Sequence, residues 1–327
     1  MIKFIRSDTT LKESGEPSGA LSLPAGGTGG SVRVMSVTDA AVRSMTLDGS
    51  FRLITVRTTD LVREVIRLQG LSGAGARMLG DLVTASVLIR ETMAPDFRVQ
   101  AVLSRPGFAS LVADSHPGPR GTGSPVGALT RGLSTHGEET PWPTSLGPDS
   151  VLKVVRSLPR NELHQSIVAA EGQSLCEAVM SYLQGSEQIL AMAGLTTLVD
   201  GERVIASGGY LLQLLPDCHH QLLAVMTERL AHDFRDLEPI LAAHDDLTAH
   251  LTAEIFHGMP ATELARSALR HGCDCDEARM LSAVATLGRA EVSQIVATHE
   301  VLDLDCEYCH THYRIGPEQL RPLLMAN

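Results

Sequence analysis

The chain has 327 residues, and 43% of them are hydrophobic, which is enough to bury the cores of one to three domains. Its 27 basic and 38 acidic residues give a formal net charge of −11. Because so acidic a surface repels phosphate backbones, a nucleic-acid partner is disfavoured. No apolar run approaches the ~20 residues of a membrane span, and the charged N-terminus lacks a secretory apolar region. We therefore expect a soluble, cytoplasmic protein that acts neither on nucleic acid nor at a membrane.

The N-terminal part of the chain is predicted to be a flexible leader followed by an α+β core domain. Residues 12–31 are rich in Gly, Ser and Pro, so we assign residues 1–45 to the leader and residues 46–218 to the core. Residues 115–149 are rich in Gly and Pro and lack periodicity, and they are interpreted as a loop insertion. Hydrophobic periodicity predicts the following core elements in chain order: strand 51–56, helices 60–68 and 74–90, strands 97–104, 109–115 and 151–156, helix 171–183, and strands 195–199, 203–206 and 210–215.

Residues 219–270 are predicted to be a helical linker. One apolar stripe runs from Leu222 to Leu237, Asp245 or Asp246 can cap a second helix, and a third is expected over Ala261–Arg270. The polar faces are heavily charged, with a net charge of −4 over residues 219–272 from eight acidic residues and four arginines. Two interpretations stay open: packed helices, or a marginally stable linker that becomes ordered only on a neighbouring surface.

The last segment, residues 271–327, is predicted to be a small separate domain. Asp276 can cap a helix that ends at Gly288, and a second helix is expected over 291–299. Residues 302–306 alternate between apolar and acidic side chains, as a strand does, and Gly316-Pro317 can begin a final helix. So few residues make only a modest core, which would be marginal without a further stabilising element.

Four cysteines in this segment predict a zinc site. They form the pattern Cys273-x-Cys275, thirty residues, Cys306-x-x-Cys309. Two close pairs separated by a small folded insert suit tetrahedral Zn²⁺, and four thiolates make a closed, structural type of site. Metal binding can supply the folding free energy that a small core lacks. Because thiolates are also the groups that oxidants attack, the same site would be sensitive to redox state.

Other interpretations of the cysteines remain open at this point. The site could be a purely structural zinc module, or the cluster could hold no metal. A thioredoxin-like Cys-x-x-Cys is disfavoured, because it belongs at a helix N-terminus after a strand. The two remaining cysteines, Cys176 and Cys218, are single and are interpreted as small buried apolar groups. Four nearby histidines are further candidates for ligands or for partners of ligands: His271, His299, His310 and His312.

The cysteine pattern resembles that of the bacterial 33 kDa chaperonin, the redox-regulated heat-shock chaperone (HslO) family. Leu287-Gly288 between the pairs and Tyr313 after them agree with this resemblance. So do four further stretches, and the similarity covers roughly residues 45–325. The stretches are Thr59–Glu64, Met78–Leu88, Ser186-Glu187-Gln188, and the run from Gly208-Gly209 to Pro216.

The resemblance implies an ATP-independent holdase rather than an enzyme. It implies an α+β core domain, a helical linker and a C-terminal zinc-binding redox-switch domain that holds one Zn²⁺ per chain in the reduced state through Cys273, Cys275, Cys306 and Cys309. Oxidation in the family joins neighbouring cysteines, here Cys273 with Cys275 and Cys306 with Cys309. The zinc then leaves, the zinc domain and linker unfold, and homodimers capture unfolded or oxidatively damaged client proteins.

Two other functions compete with this expectation. The chain could be an interaction or scaffolding protein with a permanently structural zinc module, in which case oxidants would leave the metal bound. It could also be a thiol oxidoreductase, which would require turnover of a dithiol substrate through Cys306.

Overall fold

A computed structural model describes residues 38–93, 97–105, 110–118, 128–135, 146–158, 162–216 and 218–325, and the backbone of residues 2–5. It has two compact units, each described separately below. The core unit is Thr38–Asp274, and the C-terminal unit combines Met1–Val37 with Cys275–Asn327. Strands and helices occur in both units, so the predicted α+β class is confirmed.

The strands are numbered in chain order. They are β1 (Ile2–Ile5), β2 (Ala40–Thr46), β3 (Phe51–Arg57), β4 (Val99–Ser104), β5 (Ser110–Pro117), β6 (Ala128–Ser134), β7 (Val151–Ser157), β8 (Leu163–Ala169), β9 (Ala191–Asp200), β10 (Arg203–Leu214), β11 (Ala261–His271), β12 (Leu302–Cys306) and β13 (His312–Ile315). The α-helices are α1 (Thr59–Gln69), α2 (Gly73–Glu91), α3 (Leu175–Ser186), α4 (His220–Asp233), α5 (Glu238–Ala243), α6 (Leu247–Ile255), α7 (Glu277–Val284), α8 (Arg289–Ala297) and α9 (Pro317–Met325).

The core unit is built on a ten-stranded sheet in the order β8-β7-β4-β5-β6-β11-β2-β3-β10-β9. Neighbouring strands are antiparallel, except that β6 and β11 pair in parallel. β9 and β10 pair across a tight turn at Asp200-Gly201-Glu202, and β10 joins the two predicted strands 203–206 and 210–215 into one. The smaller sheet of the C-terminal unit has the order β1-β12-β13.

Both faces of the central strands are covered by helices. Since successive side chains of a strand point to opposite faces, Ile54 and Val56 of β3 join one apolar cluster with α1, α2 and α3. Phe51 and Leu53 of the same strand join a second cluster with α4, α5 and α6. The sheet is therefore the middle layer of the core unit, and the two clusters lie on its two sides.

Helices α4 to α6, within the predicted linker of residues 219–270, pack on the sheet of the core unit. Met226 and Leu230 of α4 and Leu251 of α6 are buried against Tyr210 and Leu212 of β10. The predicted cap of α6 is confirmed for one of its two candidates, because the Asp246 side chain accepts a hydrogen bond from the Ala249 backbone N–H at 3.1 Å. Among the described residues, the buried apolar side chains of the three helices cluster with those of β3 and β10.

The helix expected over Ala261–Arg270 is wrong, because this segment is strand β11. Ala, Leu and Arg favour helices, but tertiary pairing overrides weak intrinsic propensity. β11 pairs with β2 along most of its length and with β6 at its end, so its backbone groups are satisfied by two neighbouring strands. The helical part of the predicted linker therefore ends at α6, and the linker's functional boundaries stay a prediction.

The loop insertion expected over residues 115–149 is also wrong in part, because Ala128–Ser134 is a central strand of the sheet. β6 lies between β5 and β11 and pairs with both. Its glycine hid the strand pattern: a Cβ on Gly132 would lie 2.7 Å from Cγ1 of Val65 on α1. Only a residue without a side chain lets the helix approach this closely.

The predicted leader is likewise not one flexible segment. Ile2–Ile5 forms a strand that pairs antiparallel with β12, and Ile2 lies opposite Cys306. Ala40–Thr46 forms β2, which pairs with both β3 and β11 in the large sheet. Residues 12–31, on which the prediction was based, lie outside the described residues.

The close packing at Gly132 can be tested with a pair of glycine substitutions. Gly132→Ala is expected to destabilise the core by about 1–3 kcal/mol, because overpacking forces neighbouring side chains to move. Gly185 in α3 has no heavy atom within 4 Å of a built Cβ. Gly185→Ala should be neutral or stabilise by about 1 kcal/mol, because it adds helix propensity. Urea unfolding followed by circular dichroism measures both, and equal effects would contradict the packing described here.

Candidate metal centre

The second cysteine pair lies on a tight hairpin between β12 and β13. Cys306 ends β12, and its backbone N–H donates to the Thr311 carbonyl at 3.0 Å. The His310 N–H donates back to the Cys306 carbonyl at 2.7 Å, and His310 itself has a left-handed backbone with φ of 55°. This turn reverses the chain directly after Cys309, so the backbone holds the two thiols of the pair close together.

The first cysteine pair follows the end of β11. The Gly272 N–H donates to the Thr130 carbonyl of β6 at 3.2 Å, and a Cβ on Gly272 would lie 2.7 Å from Leu129. A glycine is therefore needed to keep this end of the strand against β6. After Cys275, the Asp276 carboxylate accepts a hydrogen bond from the Arg279 N–H at 2.8 Å and caps α7, which confirms the predicted cap.

The four predicted cysteines converge. Their sulfur atoms all lie within 4.8 Å of one another, and they form the one such group of His, Cys, Asp and Glu found in the part of the chain that the structure describes. The Sγ atoms of Cys275 and Cys309 are 3.3 Å apart. Cys306 is buried and the other three are half-buried. All four donors are soft sulfur atoms, the set that tetrahedral Zn²⁺ accepts in closed sites.

Tyr313 is a neighbour of the cluster within the C-terminal unit. Its hydroxyl donates a hydrogen bond to Cys275 Sγ at 3.1 Å. This hydrogen bond, with burial and the nearby Cys309 and Cys306 sulfurs, raises the pKa of Tyr313 above its usual value. The tyrosine therefore stays protonated and remains a donor to sulfur, as a partner of a metal ligand does.

Arg131 is a further neighbour that the sequence analysis missed. It lies on β6, and its Nη1 donates to Cys273 Sγ at 3.0 Å and to Asp274 at 2.7 Å. Its Nε donates to Asp114 at 3.0 Å, and the Asp114 carboxylate is fully buried. One guanidinium thus joins a buried carboxylate to the first cysteine pair, within the core unit. Asp114 could have revealed it, because an acid that directly follows the apolar run Leu111–Ala113 in a predicted strand needs a partner if it is buried.

The four candidate histidines do not belong to the sulfur cluster. The His312 ring instead donates to the carboxylates of Asp305 (2.7 Å) and Asp303 (3.2 Å), and these carboxylates raise its pKa. Burial lowers the pKa of His271, which lies at the end of β11. The cluster therefore consists of cysteines alone, without a histidine ligand.

The two single cysteines lie elsewhere. Cys176 is half-buried against the first apolar cluster, and burial raises its pKa to about 11. Such a thiol is protonated near neutral pH and is a poor nucleophile. Cys218 packs beside the second apolar cluster. Both therefore pack against apolar clusters as predicted, but they are half-buried rather than buried.

No helix among the described residues is long and apolar enough to cross a membrane.

An α+β core joined to a compact four-cysteine centre defines the class of protein, and comparison with known proteins identifies the family. The family model described as "Hsp33 protein" matches residues 39–316. The "33 kDa chaperonin" of Syntrophotalea carbinolica is 28% identical over 292 residues, covering 88% of this chain and 99% of that protein. The "33 kDa chaperonin" of Bacillus subtilis is 25% identical over 293 residues, covering 87% of this chain and 98% of that protein.

A solved structure shows the same fold. The crystal structure of the 33 kDa chaperonin from Thermotoga maritima superposes with a TM-score of 0.70 at 20% identity, covering 88% of this chain and 98% of that chain. Since the family model spans most of the sequence, the chain belongs to the Hsp33 family. The family resemblance inferred from the cysteine spacing is confirmed, and both of these relatives are named as chaperonins.

The pairing of Arg131 with the buried Asp114 can be tested against a matched arginine. Arg98 also binds Asp114, with 2.7 Å from its Nε to Oδ1, but it is 41% exposed. Arg131→Met should destabilise the core by about 3 kcal/mol, because it removes the buried cation that pairs with the Asp114 carboxylate. Arg98→Met should cost about 1 kcal/mol, since solvent replaces an exposed cation. Urea unfolding of the reduced protein measures both, and equal losses would contradict the assignment.

Proposed function

We propose that this protein is a redox-regulated, ATP-independent holdase that binds unfolding proteins after oxidation of its four-cysteine centre. The observation that carries the proposal is the convergence of Cys273, Cys275, Cys306 and Cys309 to within 4.8 Å in a chain of the Hsp33 family. In the reduced state these four residues would hold one Zn²⁺ per chain.

The donor set fits Zn²⁺ in chemistry and in spacing. Tetrahedral Zn²⁺ with Zn–S near ~2.3 Å separates its ligand atoms by about 3.8 Å, which four sulfurs within 4.8 Å can accommodate. When bound, zinc would supply folding free energy to the C-terminal unit, whose elements are short. Tyr313 and Arg131 each donate a hydrogen bond to a ligand sulfur, which orients the thiolates and disperses their charge.

Oxidation would convert the ligands into disulfides. For each pair, two thiolates, one hydrogen peroxide and two protons give one disulfide and two water molecules: the S–S bond forms, the O–O bond breaks, and peroxide accepts two electrons. The family resemblance assigns the pairs as Cys273–Cys275 and Cys306–Cys309. Either disulfide removes two of the four ligands, so the site can no longer hold its metal.

The layer formed by α4, α5 and α6 is the candidate client surface. Chain continuity couples it to the centre, because α6 leads into β11 and β11 leads directly to Cys273. The layer buries Met226, Leu230 and Leu251 on the sheet. Release of the helices would expose these side chains and the strand surface under them, and a large exposed apolar patch binds unfolded chains.

The partners of this activity would be unfolded or oxidatively damaged client proteins, with a homodimer as the oxidised form. A reducing compartment keeps thiolates available for metal, so the cytoplasm suits the resting state. No turnover is assigned to the protein: it would hold clients without ATP and without chemistry on them.

The first test follows metal and activity together. Reduced protein should contain about one zinc per chain and should not prevent aggregation of a heat-labile client. Peroxide under mild heating should release the zinc to a chromogenic chelator, unfold the C-terminal unit by circular dichroism, and suppress aggregation. A double variant, Cys176→Ser with Cys218→Ser, is the control and should behave like the unmodified chain.

Three results would count against this proposal in different ways. Equal chaperone activity in both states would remove the switch, and no activity in either would remove the chaperone. Zinc that stays bound through peroxide treatment would favour the permanently structural module of a scaffolding protein. Peptide mapping of the oxidised protein tests the pairing, because the 3.3 Å contact of Cys275 with Cys309 offers a competing disulfide.

A second prediction isolates the helical layer. Leu251 and Leu82 are both fully buried, Leu251 in the cluster under α4–α6 and Leu82 in the cluster on the other face. Either change to Ala should cost about 2–5 kcal/mol, because it leaves a cavity. Only Leu251→Ala should lower the peroxide concentration and temperature needed for activation, since it loosens the layer that is to be released. Equal activation of both variants in the aggregation assay would argue against α4–α6 as the releasable element.

A further inference from the structure

A cavity in the core unit lies apart from the cysteine cluster and has no role in the proposed switch. Its volume is about 760 Å³, within the ~300–1,000 Å³ typical of small-molecule sites. Its walls combine apolar and polar side chains, and helix α2, the start of α3 and strands β4 and β9 contribute to them. The residues used below are Met78 and Asp81 on α2, Gln173 and Leu175 at the start of α3, Leu103 on β4 and Val199 on β9.

Asp81 provides an acidic group in this wall. Its Oδ1 is buried and has no hydrogen-bond partner among the described residues. Burial raises the pKa of Asp81 to about 7, although Thr197 and the charge of Arg77 act in the opposite direction. A buried carboxyl with an unused acceptor costs free energy until a donor reaches it.

A second unused acceptor belongs to the same cavity. The side-chain Oε1 of Gln173 is buried and also lacks a partner among the described residues. Gln173 directly precedes Ser174, whose side chain caps α3 through the Glu177 N–H at 3.2 Å, so the backbone at this point is held by the cap. Two residues that line the cavity thus each carry a buried acceptor without a donor among the described residues.

The charges around the cavity favour a cation. Arg77 also lines it, but its guanidinium is paired with Glu238 on α5 and donates to Thr196 at 3.1 Å. The positive charge at the mouth is therefore already compensated, whereas the Asp81 carboxylate has no cation in contact with it in the described residues. A bound ammonium group would supply the missing countercharge and up to three N–H donors.

We propose that this cavity binds a small aliphatic amine, whose ammonium group donates to Asp81 and whose alkyl chain packs between Met78, Leu103, Leu175 and Val199. The lining suits this class, because it offers a carboxyl group to the ammonium group and apolar side chains to the alkyl chain. An alcohol of equal length would fill the apolar part but bring no charge. The site is independent of the metal centre, so it should bind in the reduced protein.

Calorimetric titration of the reduced protein at pH 8 with n-hexylamine and with n-hexanol tests the proposal. The amine should bind about tenfold more tightly than the alcohol, the value of one charge-assisted hydrogen bond. Asp81→Asn keeps the shape and removes the charge, and it should weaken amine binding by about tenfold while leaving alcohol binding unchanged. Asp60→Asn, on the exposed side of α1, is the matched control and should bind as the unmodified chain does.

A second variant keeps the test decisive if Asp81→Asn folds poorly by circular dichroism. Ala74→Leu adds bulk to the cavity wall without touching Asp81, and it should abolish binding of both probes. The proposal is overturned if the amine does not bind, if alcohol and amine bind equally, or if binding survives both substitutions. These titrations use no oxidant and no client, so their failure would leave the outcome of the peroxide and aggregation assays unaffected.

Discussion

Mutual repulsion of sulfur charges is the constraint on which the C-terminal unit depends. Four sulfurs lie within 4.8 Å, and two unit charges ~4 Å apart repel by about 4 kcal/mol at the effective dielectric of a protein surface. Four thiolates can therefore share this space only with a cation between them, and otherwise they must be protonated or joined as disulfides. Each of these states changes the free energy of folding of the segments that carry the cysteines. A centre of this kind is suited to report oxidation as a change in folding.

The two cysteine pairs differ in the groups that hold them. The second pair is held by its own hairpin, where the left-handed backbone at His310 and the bond from its N–H to Cys306 fix the turn. The first pair instead follows β11, and Arg131 links Cys273 and Asp274 to the fully buried Asp114. Within the core unit, one side chain thus contacts both Cys273 and a buried carboxylate. Any change at Cys273 alters the surroundings of a buried ion pair, which is where small changes have large energetic effects.

The two apolar clusters of the core unit give its two faces different roles in the proposed function. One face is covered by α1 and α2, whose residues form the larger cluster with the sheet. The other is covered by α4–α6, a thinner layer that could be released while the first face keeps the sheet folded. The cavity beside Asp81 belongs to the first face, so a ligand there would stabilise the part of the protein that the switch leaves intact.

The sequence by itself determined the features that depend on neighbouring or regularly spaced residues. Cysteine spacing identified the four converging residues and the family, the caps at Asp246 and Asp276 marked helix starts, and periodicity located α1, α2 and most strands. Only the tertiary structure decided β11, β6 and the contact of Arg131 with Cys273. Pairing with strands distant in the chain overrode the helix propensity of β11. Gly132 obscured the strand pattern of β6. Local patterns carry no information on which distant segments come into contact. The burial of Asp114 and Arg131 arises only when such segments pack together.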